Sequence, residues 1–63
     1  MHAELSSLSS SAATMKARVA ALADGLHHEK DAELLSVLYE VERSLGNVNR
    51  QLERAVRLSK SRK

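Results

Sequence analysis

The stretch LLSVLYEVERSLGNVNRQLERA, residues 34–55, decides the fold. Within it Leu34, Leu38, Val41, Leu45, Val48, Leu52 and Ala55 recur at spacings of 4,3,4,3,4,3, with mostly polar residues between them. Alternating steps of three and four hold an apolar stripe on one side of an α-helix, which is the pattern of a coiled-coil seam. Toward the N-terminus, Leu5, Leu8, Ala12, Met15, Val19, Leu22 and Leu26 write a second seam at 3,4,3,4,3,4.

The two registers do not join. Continuing the first past Leu26 would place Glu29, Glu33 and Ser36 at core positions, so the chain breaks between residues 25 and 31. Gly25 suits the residue just beyond a helix end, where positive φ is expected, and Asp31 suits the cap of a new helix with Glu33 in its first turn. The reading is one domain, residues 1–63, with helix 1 at about 3–24, a turn at 25–31, helix 2 at about 32–59 and a basic tail at 60–63. Gly46 costs about 1 kcal/mol relative to Ala inside a helix and marks a possible early end of helix 2. The unbroken register from Val41 through Leu52 argues against that end. A single long helix would need a four-residue stutter with Gly25 in its interior, and ranks second.

Reversal of the chain near residue 30 has a check of its own. Pairing seam residues at an index sum of 60 matches Leu26 with Leu34, Leu22 with Leu38, Val19 with Val41, Met15 with Leu45, Ala12 with Val48, Leu8 with Leu52 and Leu5 with Ala55. Every layer is apolar on both sides. The expected fold is therefore all-α, an antiparallel two-helix hairpin, whose intrachain core is Leu8, Met15, Val19, Leu22, Leu38, Val41, Leu45 and Leu52. Lys16 and Glu42 flank this seam as an expected opposite-charge pair, and Ser6, Ser7, Ser9, Ser10, Ser11 and Thr14 make the first half of helix 1 a weak helix former.

Composition excludes other classes. There is no Cys, no Pro and one aromatic residue, Tyr39. Disulfide frameworks and thiolate metal sites are ruled out, and the β-branched and aromatic enrichment of strands is missing. No run reaches the roughly 18 apolar residues that span a bilayer, and the first residues lack the order of a signal peptide, so an intracellular, cytoplasmic protein is expected.

One hairpin of this length buries little apolar surface against the entropy of ordering its chain, so a further stabiliser is expected. Leu35, Val37, Val56 and Leu58 lie beside the second seam and are the expected partner interface. Charge is lopsided: residues 24–42 carry Asp24, Glu29, Asp31, Glu33, Glu40 and Glu42 against Lys30, whereas residues 43–63 carry Arg43, Arg50, Arg54, Arg57, Lys60, Arg62 and Lys63 against Glu53. In a hairpin the acids gather at the turn and the bases at the open end, so antiparallel pairing of two copies into a four-helix bundle brings unlike ends together.

The residue types of catalysis are present without their patterns. His27, His28, Glu29 and Asp31 match no helical metal motif, and there is no phosphate-binding glycine loop or nucleophile elbow, so no enzyme, metal site or cofactor is expected. The expected function is a non-catalytic coiled-coil oligomerisation or protein-interaction module, a scaffold or regulatory adapter that binds itself or another helical chain. The alternative is nucleic-acid binding. Arg43, Arg50 and Arg57 recur every seven residues on the outer side of helix 2, about 10.5 Å apart, with Arg54 alongside, and so form a stripe able to meet phosphates. No aromatic platforms accompany them for stacking bases. The basic tail also suits an anionic membrane surface or nuclear import.

In length and in having two helices joined by a short turn, the chain resembles the Rop family of plasmid copy-number regulators, dimeric four-helix bundles that bind RNA hairpins. No residue motif is shared, so the resemblance implies architecture alone and no functional residue is carried over.

Overall fold

The computed structural model describes residues 1–61. It contains two helices, α1 (His2–Asp24) and α2 (Ala32–Ser61), packed against each other as a hairpin within a Cα envelope of 53 × 14 × 10 Å. Lys60 and Ser61 of the expected basic tail belong to α2, and Arg62 and Lys63 lie outside the described residues. Helix α1 is continuous through its serine run, and α2 is continuous through Gly46. Two cross-helix contacts display the reversed direction. Ser9 Oγ reaches Asn49 Oδ1 at 3.5 Å, and His2 Nδ1 meets Ser59 Oγ at 3.0 Å. The single Ser59 hydroxyl proton is donated to the Val56 carbonyl at 2.8 Å, so Ser59 accepts from His2 Nδ1–H.

The connection departs from expectation at Gly25, which ends α1 with φ −86° and ψ −3°, ordinary right-handed backbone rather than positive φ. The chain leaves α1 by tightening: Gly25 N–H donates to the Leu22 carbonyl at 3.2 Å and Leu26 N–H to the Ala23 carbonyl at 3.1 Å. Bonds of this shorter reach close a helix end without a left-handed residue. Beyond it, His27 Nδ1 accepts the backbone N–H groups of Glu29 and Lys30, each at 3.2 Å. His27 thus acts as Asn does in an Asx turn, folding the backbone over its own side chain. Asp31 closes the clasp. Its carbonyl accepts Leu35 N–H at 2.8 Å and opens α2, while its carboxylate reaches back to accept His27 N–H at 2.9 Å.

The helices meet along a seam rotated from the expected one. Both versions share Leu5, Ala12 and Val19 on α1, Leu26 just beyond it, and Leu38, Leu45 and Leu52 on α2, where all but Ala12 are half-buried and Ala12 is buried. The other half of the contact comes from Ser9, Lys16 and Ala23 against Leu35, Glu42, Asn49 and Val56. Leu8, Met15, Leu22 and Val41, expected in the intrachain core, are instead 54%, 53%, 64% and 38% exposed. Leu35, expected to face a partner, is 5% exposed inside the hairpin, and Val56 is half-buried there.

Small residues lie along the contact. Ala12, Ala23 and Ser9 let the backbones approach closely, and a pair of helices has only one line of close contact. The residues on the other edge of each stripe are left outside it. Lys16 Nζ and Cε lie over Gly46, 3.5 and 3.6 Å from where a Cβ would stand. The expected Lys16–Glu42 pair does not form; among the described residues the one ion pair joins the Met1 amino group to Glu4 at 3.9 Å.

Two substitutions test this account. A Cβ at Gly46 would meet only the flexible ends of Lys16 and Arg50 at ordinary contact distance, so Gly46→Ala is expected to raise the free energy of unfolding by about 1 kcal/mol in urea titration. At the turn, His27→Leu is expected to lower it by about 1 kcal/mol while His27→Asn retains most of it, because Asn supplies an equivalent acceptor.

Candidate functional surface

The exposed seam residues share one side of the hairpin. Each precedes a contact residue by one position: Leu8, Met15 and Leu22 come before Ser9, Lys16 and Ala23, and Leu34, Val41 and Val48 before Leu35, Glu42 and Asn49. In two antiparallel right-handed helices that face each other, one step back along either chain turns toward the same side of the pair. Leu8, Met15, Leu22, Leu34, Val41 and Val48 therefore form a two-helix apolar face, with all six exposed. A depression lined by Met15, Arg18, Val19 and Leu22 lies on it. Leu34 and Val37 carry it to the turn beside Lys30, Asp31 and Glu33. Val37 and Leu58, expected to face a partner, are exposed at its margin, whereas Leu35 and Val56 belong to the inside of the hairpin.

Heptad spacing found these six positions, but it could not separate them from the intrachain seam. Both edges of the stripe share the same periodicity. Both edges carry large side chains, Lys16, Leu35, Glu42 and Val56 on the covered one and Leu8, Met15, Leu22, Leu34 and Val41 on the open one, so volume does not separate them either. The residues missed as intrachain contacts, Ser9 and Asn49, are polar, and no apolar pattern would select them; Lys16 and Glu42, expected beside the seam, are half-buried there without pairing.

Arg43, Arg50 and Arg57 stand two residues after Val41, Val48 and Ala55, about 200° around α2, and so point away from the apolar face. With Arg54 they are exposed, and Arg50 Nη2 donates to Asn47 Oδ1 at 2.7 Å. No carboxylate pairs with any of the four among the described residues. His27 and Asp31 are engaged in the turn, and no group of three or more potential metal ligands occurs among the described residues. No described helix is long and apolar enough to cross a membrane.

Comparison with protein-family models, with curated proteins and with solved structures returned no match to this chain.

The basic stripe has a direct assay. In a gel-shift titration with duplex and single-stranded RNA and DNA at about 50 mM salt, no retardation is expected at micromolar protein. Retardation abolished by combined charge reversal of Arg43, Arg50 and Arg57, with helicity unchanged, would identify the stripe as a nucleic-acid surface.

Proposed function

We propose that this chain is a non-catalytic helical-hairpin interaction module, a scaffold or adapter whose working part is the apolar face of Leu8, Met15, Leu22, Leu34, Val41 and Val48. One observation carries the reading. These residues keep heptad spacing on both helices and yet stand in water. Scattered exposed apolar residues are ordinary on protein surfaces, whereas a contiguous stripe built from two helices marks a contact site. Its form selects the kind of partner. Side chains at steps of seven on parallel-running ridges accept the knobs of another helix or helix pair rather than a strand or an extended peptide. The hairpin interior among the described residues is filled by Ala12, Ala23 and Leu35, which carry no reactive group.

A photo-activatable amino acid placed at Met15 or Val41 in the producing cell is expected to form covalent protein adducts, while the same group at Ala13 or Glu53, off this face, forms none. Absence of adducts at Met15 and Val41, or equal yields at all four positions, overturns the proposal.

A further inference from the structure

We infer that the occupant of this face is a second copy of the same chain, laid on it with its turn against the open end of the first. The inference rests on reading the face as an interaction surface and adds who binds there and in which direction.

The first ground is symmetry. On α1 the exposed residues Leu8, Met15 and Leu22 are centred on Met15; on α2, Leu34, Val41, Val48 and half-buried Ala55 are centred between Ser44 and Leu45. A two-fold axis crossing the hairpin at right angles must meet both centres at one height. The contacts of Ser9 with Asn49, His2 with Ser59 and Lys16 with Gly46 set that height, and by them Met15 stands level with α2 somewhere between residues 43 and 47. With Ala55 counted as the last position of the outer seam, the α2 centre falls within that span. About such an axis α1 lies along the partner's α1 and α2 along the partner's α2. Leu8 then meets the partner's Leu22, Met15 meets the partner's Met15, Leu34 meets the partner's Ala55, and Val41 meets the partner's Val48. Every layer is apolar on both sides, as an isologous contact demands. A partner of unrelated sequence would place no such requirement on the two centres.

Charge supplies the second ground. The turn half, residues 15–44, carries Asp24, Glu29, Asp31, Glu33, Glu40 and Glu42 against Lys16, Arg18, Lys30 and Arg43, and the described part of the open half carries Arg50, Arg54, Arg57 and Lys60 against Glu4 and Glu53. Stacking two hairpins with turns together would set halves of like net charge side by side, whereas the opposite direction sets the acidic half beside the basic one.

The chain has no cysteine, so single cysteines report the geometry cleanly. Under mild oxidation Met15→Cys is expected to give a disulfide-linked dimer in most of the material. Leu8→Cys alone should stay monomeric under denaturing conditions, since its copies lie about 21 Å apart by helical rise, far beyond the 4.4–6.8 Å Cα separation of a disulfide. An equimolar mixture of Leu8→Cys and Leu22→Cys should cross-link. Circular dichroism checks that each variant keeps its helices, and sedimentation equilibrium of the unmodified chain should return twice the single-chain mass at micromolar concentration. A Met15→Cys chain that stays uncross-linked, cross-linking of Leu8→Cys or Ala13→Cys in equal yield, or a monomeric unmodified chain overturns the inference. Photo-adducts at Met15 that contain only other proteins also overturn it and leave the interaction module standing, whereas no adducts at all remove both.

Discussion

A pair of helices shares a single line of close contact, and that restriction governs this molecule. Each helix carries an apolar stripe wider than one line can cover. The hairpin covers one edge of each stripe, where Ala12, Ala23 and Ser9 bring the backbones together and Leu35 is buried, and the other edge turns outward. The result is an interior whose fully buried apolar residues among those described are Ala12, Ala23 and Leu35, beside an outer face that leaves Leu8, Met15, Leu22, Leu34, Val41 and Val48 exposed. Burial of apolar area drives folding and association alike, so a hairpin of this construction has more to gain from a neighbour than from itself.

The same geometry divides α2 into sectors. One edge closes on α1, the next carries Val41 and Val48, and the far side carries Arg43, Arg50 and Arg57. Covering the apolar sector leaves the arginines in solvent, so the two surfaces do not compete. Acidic residues near the turn and basic residues near the open end add direction to a contact that apolar packing alone would leave indifferent to orientation.

Much of the architecture was legible in the residues. The break between Leu26 and Leu34 placed the reversal, because two registers that cannot be joined in phase require a turn, and two packed helices joined there are what the structure contains. The details that escaped did so for physical reasons. Heptad spacing reports which side of a helix is apolar and is silent on which edge of that side meets which neighbour, so Leu8, Met15, Leu22 and Val41 went to the interior and Leu35 to the exterior. Gly25 suggested a left-handed cap, but short carbonyl bonds to Leu22 and Ala23 end the helix without one. The role of His27 had no signal at all, since a histidine that folds its own backbone carries no spacing rule.

That clasp bears on how the chain finds its shape. The bonds joining His27 to Glu29, Lys30 and Asp31 span at most four residues, so forming the clasp costs little loop entropy and needs no contact between the helices. From there each successive pair of turns closes a loop only slightly longer than the last, the order of events that makes helical hairpins fast folders. Closing the two arms on each other therefore costs least loop entropy beside the bend and most at the open end.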